Sequence, residues 1–295
     1  MIVSCGEALV DLVPEAVPGG GPMNVAVAAA RLEAPAAFLG RVSTDPHGEM
    51  IWAHLLDNGV DLMVAERGSE PTARAIVEHV PQLRFRFEGE GTADTCLQRA
   101  ALEPLGTGAH IVHGGTLGLF RGRTADVLAD LVERHEGLIS LDPNVRPQII
   151  DDRARWDHYH DRWARRSHVY RVSDEDADWI FPGRAPESWA EQLLAGRAEV
   201  VLLTRGSGGV SVFTSGYDLT VSARKSEVVD TVGAGDTFVA AILVSLWERG
   251  LAEHPHGVGQ LARDEWHSIA GRASEAAAIT CSRRGADPPM RDELG

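Results

Sequence analysis

Asp230-Thr231-Val232-Gly233-Ala234-Gly235-Asp236-Thr237 runs directly into FVAAILVSLWERG, where Phe238, Val239, Ile242, Leu243 and Leu246 recur at helical spacing. Gly250 can close that helix in a left-handed conformation, so residues 233–236 open a buried helix. Two glycines and an alanine at a helix start leave consecutive N–H groups uncovered, and the helix dipole adds attraction for an anion. A transferring phosphoryl group would fit there. Asp236, in the first turn beside that hole, could accept the proton of a hydroxyl approaching the phosphorus. By themselves the same residues read equally well as a tight turn with a helix-capping carboxylate. A second cluster, Pro18-Gly19-Gly20-Gly21-Pro22-Met23-Asn24, precedes VAVAAARL. Its small residues let backbone approach a ligand closely, and Asn24 offers donor and acceptor to a polyol. A flexible turn into a buried helix is the plainer reading. Asp11, ending the first strand pattern, is either an acceptor for two neighbouring hydroxyls or a solvated strand-end aspartate.

These segments need a scaffold, and the hydrophobic rhythm supplies one. Short apolar runs, IVSC, AAFLG, HIVHGG, LISLD, HVYRV and EVVLLT, alternate with longer helical patterns. In HGEMIWAHLLDNG, Met50, Ile51, His54 and Leu55 fall on one stripe; in TADVLADLVERH, Val127, Leu128, Leu131 and Val132 do. Strands such as VVLLT are apolar on both faces, which predicts an α/β fold with a mostly parallel sheet covered by helices on both sides. ARAIVEHV and LRFRF break the rhythm as two adjacent strands with no helix between, a small β lid over the sheet's C-terminal edge. The whole chain, 1–295, reads as one domain with a lid insertion at approximately 71–90. GLAEHPHGVGQ reads as a loose surface loop, and His254 and His256 as solvated residues rather than metal ligands.

Composition narrows the classes. In 295 residues, 44% are hydrophobic and 24% charged, which is globular material. With 28 basic against 43 acidic residues, a formal charge of −15 argues against a nucleic-acid binder. Cys5, Cys96 and Cys281 are far apart and odd in number, so no disulfide framework or paired-cysteine zinc site is expected and a reducing cytoplasm fits. No membrane span is expected, and the start MIVSCGEALVDLVPE lacks a basic n-region, as in a soluble, unprocessed protein.

Taken together, GEALVDLVPE with PGGGPMNVAVAAARL, FLGRVSTDPHGEMI, SLDPNVRP, TRGSGG, DTVGAGDTF and ITCSRRGADPP resemble, in order and over nearly the whole chain, the PfkB or ribokinase-like family of carbohydrate kinases. The resemblance is greatest to its fructokinase and 2-keto-3-deoxygluconate kinase branch. It implies a ribokinase-like fold and transfer of the γ-phosphoryl group of ATP to a primary hydroxyl of a small sugar. Asp236 would be the catalytic base, with the amides of Gly233, Ala234 and Gly235 as the anion hole. Asp11, Gly19, Gly20 and Asn24 would hold the sugar, and Asn144 and Arg146 would face substrate and phosphates. Thr204, Gly206 and Gly209 match the family's nucleotide segment, whose glycines let ATP lie flat on the backbone. The loop of Asp230 and Val232 matches a stretch that in many relatives binds a monovalent cation such as K⁺. Mg²⁺ is expected with ATP, since metal bridging offsets charge developing on the phosphates.

Three departures qualify the match. Eight residues separate Asp11 from Gly20, fewer than relatives place there, which implies a shortened lid. Glu88 and Gly89 stand where the branch usually has an aromatic and an arginine, so a substrate-facing cation is missing unless Arg84 or Arg86 compensates. Ser173-Asp174-Glu175-Asp176 replaces an N-x-x-E pattern that organises Mg²⁺-bound water, leaving Asp176 or Glu175 for that task. With Glu88 expected to repel a carboxylate, fructose is the favoured substrate over the keto-deoxy acid. A sugar-binding or regulatory protein with a kinase fold is the reading from another class. In many relatives the lid is also a dimerisation surface, so either a modest homodimer through ARAIVEHV and LRFRF or a monomer whose lid folds onto its own site is expected.

Overall fold

Alternating apolar residues in Val200–Thr204 point to opposite sides of a sheet, and two separate cores receive them. Val200 and Leu202 pack with Val25, Phe238 and Trp266, whereas Val201 and Leu203 pack with Val127, Trp156 and Trp189. A computed structural model describes residues 1–13, 15–80, 82–106, 108 and 110–295, with the side chains of 77–80 and 82–85 left aside.

The strands in chain order are β1 (Ile2–Cys5), β2 (Leu9–Val13), β3 (Glu15–Gly19), β4 (Ala36–Leu39), β5 (Arg41–Ser43), β6 (Glu66–Gly68) and β7 (Arg74–Val80). They continue with β8 (Gln82–Glu88), β9 (Ile111–Gly115), β10 (Ile139–Asp142), β11 (Val169–Ser173), β12 (Val200–Thr204), β13 (Val210–Phe213) and β14 (Asp218–Val221). The helices are α1 (Gly21–Arg31), α2 (Pro46–Asp57), α3 (Gly122–Arg134) and α4 (Arg153–Ala164). After them come α5 (Asp174–Ile180), α6 (Pro186–Leu194), α7 (Ala234–Glu248) and α8 (Arg263–Cys281).

The main sheet has eight strands in the order β14-β13-β12-β11-β10-β9-β1-β4. It is parallel from β4 to β12, with β13 and β14 added antiparallel. Helices α1, α7 and α8 cover one face; α3, α4 and α6 cover the other. The chain enters at β1, adds β4 on one side and then crosses to β9 on the other, so β1 is a topological switch point. Ligands of open α/β sheets bind outside the C-terminal strand ends at such a point. Among the described residues, no helix is long and apolar enough to cross a membrane.

Beside that edge lies a second sheet, ordered β3-β2-β7-β8. The short Asp11-to-Gly20 interval still forms a hairpin, with Asp11 opposite Val17 and, across the parallel β2–β7 pair, opposite Ala75. The lid therefore draws two strands from the 71–90 interval and two from Leu9–Gly19. Pro14 and Pro81 lie outside the described residues, as does the side chain of Arg84.

Two local expectations are corrected. In α2 the inward face is Gly48, Ile51 and Leu55, at three- and four-residue spacing, which turns Met50 outward to 39% exposure. GLAEHPHGVGQ is anchored rather than loose: residues 255–260 form a 3₁₀ turn, Val258 is fully buried, and the Trp266 indole donates to its carbonyl at 3.3 Å.

Candidate active site

Helix α7 begins at Gly233, whose φ of 75° is left-handed; a Cβ there would stand 2.5 Å from the Cβ of Ala286. Among the described residues, no side chain caps this start. The N–H of Ala234 turns back to the Thr231 carbonyl at 3.3 Å, while those of Gly235 and Asp236 have no backbone partner among the described residues. Asp236 does not cap its helix. Its Oδ2 accepts a hydrogen bond from Asn24 Nδ2 at 2.8 Å, across 212 positions of sequence. Asn24 sits in the first turn of α1, so two uncapped helix starts meet at this carboxylate. Burial pushes the Asp236 carboxyl above the ordinary aspartate range, against the opposing pull of Asn24, Arg146 and Arg171.

The neighbours converge from the C-terminal ends of parallel strands. Thr116 follows β9 and Asn144 follows β10; Asn144 Nδ2 donates to Thr116 Oγ1 at 3.2 Å. Both adopt positive φ, 51° and 40°, a costly backbone for residues with a Cβ and one that concentrates at functional sites. Between them lies Gly21. A Cβ on it would come 2.7 Å from Thr116 Oγ1, 3.3 Å from Asn144 Nδ2 and 3.5 Å from Asp236 Oδ1. The Asp11 carboxylate lies across Gly19, where a Cβ would be 2.3 Å from Oδ2, and Gly20, at φ 116°, leaves room for the Glu7 carbonyl. Burial raises the Asp11 carboxyl, opposed by the charge of Arg146. Arg146 is exposed and folds over its own loop, donating to Asn144 Oδ1 at 2.7 Å.

Thr204 ends β12, and its hydroxyl accepts from Arg171 at 2.6 Å. Of Gly206 and Gly209 beyond it, Gly206 faces open space, whereas a Cβ on Gly209 would meet the Val221 carbonyl at 2.2 Å. Gly209 is thereby packed against the end of β14. The Asp230 carboxylate accepts from the N–H of Val232 at 3.1 Å and of Gly285 at 2.9 Å. Burial pushes its carboxyl up, but these N–H groups, with that of Thr231, outweigh it and leave it low. Asp230 thereby ties the loop before α7 to the turn carrying Ala286. Asp176 is buried at the start of α5 and accepts the Val145 N–H at 3.0 Å, while Glu175 points to solvent. Asp142 Oδ1 is buried without a partner among the described residues. Burial, and after it the charge of Asp142, raises the Asp176 carboxyl. Among the described residues, no cluster of His, Cys, Asp or Glu is sufficient to hold a metal alone.

The lid departure resolves differently from expectation. Glu88 is held by Arg74 at 2.5 Å and by Arg86 at 2.7 Å, so its charge is neutralised and repulsion of a carboxylate loses its source. A guanidinium does lie against Gly89, but it comes from Arg121 ahead of α3. It donates to the Gly89 carbonyl and to Asp94 at 2.9 Å, and stacks 4.7 Å from the Phe87 ring centre. Sequence reasoning assigned no site role to Thr116, Asp142 or Arg171, and named Gly21 only within its glycine cluster. Asp142 lay inside the quoted SLDPNVRP segment, and Arg171 left a signal as an arginine inside the otherwise apolar strand VYRVS.

Residues 13–293 match the pfkB family carbohydrate kinases, nearly the full length. The chain belongs to that family. This PfkB kinase is 35% identical over 259 residues to the fructokinase of Rhizobium leguminosarum bv. trifolii, spanning 83% of this chain and 79% of that protein. Fructokinase-1 of Oryza sativa subsp. japonica is 29% identical over 324 residues, 100% of this chain and 95% of that one. Among solved structures, fructokinase from Vibrio cholerae O395 in a fructose-, ADP- and calcium-bound form superposes with TM-score 0.84 at 25% identity, covering 97% of this chain and 94% of that one. ATP-bound fructokinase from Xylella fastidiosa, at 24% identity and TM-score 0.86 over 99% and 94% of the two chains, has the same fold.

Proposed function

We propose that this PfkB kinase transfers the γ-phosphoryl group of ATP to a primary hydroxyl of fructose. The observation that carries the reading is the meeting of Asp236, held by Asn24, with Thr116, Asn144 and bare Gly21 at the mouth of two uncapped helices. The hydroxyl approaches over Gly21, where no side chain intervenes, and gives its proton to Asp236. The phosphoryl group meets the free N–H groups of Gly235 and Asp236, which stabilise charge that develops in transfer. Gly19, Gly20, Asp11 and Asn24 hold the remaining hydroxyls. Arg146, whose charge reaches both Asp11 and Asp236, faces sugar and phosphates. Thr204, Gly206 and Gly209 carry the nucleotide, and the Asp230–Val232 loop, with a monovalent cation such as K⁺, steadies the start of α7.

Oxygen anions suit Mg²⁺, which keeps much of its water and binds through one or two carboxylates together with phosphates. Asp176 would hold it through water; when bound, the metal neutralises phosphate charge. No protein cage is required for that.

Fructose needs only hydroxyl partners, which the loop and Asn24 provide, and Arg74 and Arg86 of the lid are engaged with Glu88. A 2-keto-3-deoxy acid needs a positioned guanidinium for its carboxylate. With MgATP in a coupled assay across ketoses, aldoses, aldonates and nucleosides, kcat/KM for fructose is expected to exceed that for 2-keto-3-deoxygluconate by more than about tenfold. A preference of that size for the acid overturns the assignment.

The lid sheet also suits a homodimer: β3 and β8 are its edges, and Val13 and Val17 are 47% and 45% exposed on the first hairpin. Light scattering is expected to give twice the chain mass for the wild type and the single-chain mass for Val17→Glu; an unchanged dimer in that variant excludes this surface.

A further inference from the structure

Arg171 occupies the centre of β11, between residues that are fully buried, and is itself 8% exposed. Burying a guanidinium is costly, and a buried ion pair seldom repays it in stability alone. Its counterion is Asp142, reached by one nitrogen, Nη1, at 2.7 Å. Nη2 donates to Thr204 Oγ1 at 2.6 Å. The pairing is not a two-pronged one, and Nε and Asp142 Oδ1 are both buried without partners among the described residues. Donor capacity is therefore left over inside the protein.

The guanidinium turns its two Nη nitrogens toward the first turn of α7: a Cβ on Gly235 would stand 3.2 Å from both Nη1 and Nη2 and 3.5 Å from Cζ. A cation there is unfavourable by itself, because a helix N-terminus is its positive end. The two become mutually favourable when an anion sits on both. The same guanidinium touches Thr204, the first residue of the nucleotide segment, so it joins the place where ATP is held to the place where its terminal phosphate must arrive. We infer that Arg171 is a further catalytic residue, contacting the terminal phosphoryl group of ATP together with the free N–H groups of Gly235 and Asp236. This deepens the kinase reading. It makes the phosphate site a cation plus a helix start, anchored from below by Asp142.

Arg171→Met removes the cation and is expected to lower kcat by about a hundredfold or more, the usual effect of losing one donor to a developing charge. Arg171→Lys recovers part of it. Because the single change strands Asp142 in the interior, the pair Arg171→Gln with Asp142→Asn keeps a neutral hydrogen-bonded couple; it is expected to match wild type in thermal unfolding while staying as slow as Arg171→Met. Binding measured by calorimetry without sugar separates contact from scaffold: affinity for ATP is expected to fall by about tenfold or more, with AMP affinity unchanged. Turnover of the double variant within about threefold of wild type, or equal loss of ATP and AMP affinity, overturns the inference. The binding arm reads Arg171 even if no sugar is phosphorylated by wild type, an outcome that sinks the kinase reading instead.

Discussion

Asp236→Asn is expected to leave the fold and ATP affinity nearly intact and to lower kcat by roughly 10² to 10⁴, the range associated with a positioned general base. Asparagine is close to isosteric, and its amide oxygen can still accept from Asn24 Nδ2, so the 2.8 Å contact between the two helix starts persists. What is lost is the capacity to take a proton. The pH profile gives a second check. Burial raises the Asp236 carboxyl, outweighing Asn24, Arg146 and Arg171. The base form is therefore present above that raised pKa and lost as pH falls through it, so the acid limb of kcat lies above the ordinary aspartate range. A variant turning over within about threefold of wild type would mean that another group is the base.

Gly21→Ala carries the next largest effect, because one methyl group lands where the proposed sugar hydroxyl would sit. Gly21 is the first residue of α1 and its φ is not left-handed, so alanine meets no backbone strain and favours the helix. The added carbon would lie 2.7 Å from Thr116 Oγ1 and 3.5 Å from Asp236 Oδ1, forcing the hydroxyl away from the base. Displacements of about 1 Å in such constellations cost on the order of 10²-fold. The expected result is kcat/KM for the sugar reduced about a hundredfold, with ATP affinity unchanged. Sugar kinetics like those of wild type would place the acceptor elsewhere.

Much of this site is visible in one dimension because the physics behind it is local. Glycine at 233 and 235 ahead of a helical apolar pattern marks an uncapped helix start, and the structure has α7 begin at Ala234 with Gly233 left-handed. The same logic located the opening of α1, with Gly20 at φ 116°. Apolar runs with no polar face announced strands covered on both sides, and Val200–Thr204 divides its side chains between two cores. Charge arguments across the lid fared worse. Glu88 looked repulsive in isolation, yet Arg74, its partner across the β7–β8 pair, and Arg86, two residues back on the same strand, neutralise it. Gly89 looked like a missing cation, yet Arg121 arrives from another element.

The sequence by itself determined which segments are helix starts, strand ends and tight turns, and through Asp236 and Asn24 which chemistry they could support, since these follow from side-chain type and spacing within a few residues. Only the tertiary structure decided which segments meet. Strand order brings Asn24 to Asp236, Thr116 to Asn144 and Arg171 to Gly235, although 212, 28 and 64 positions separate the members of these pairs. The strain at Thr116 and Asn144 and the emptiness at Gly21 exist only where those chains cross. The physical reason is that the sheet's register, set by burial of apolar faces over the whole chain, fixes distances of a few ångströms that no local pattern encodes.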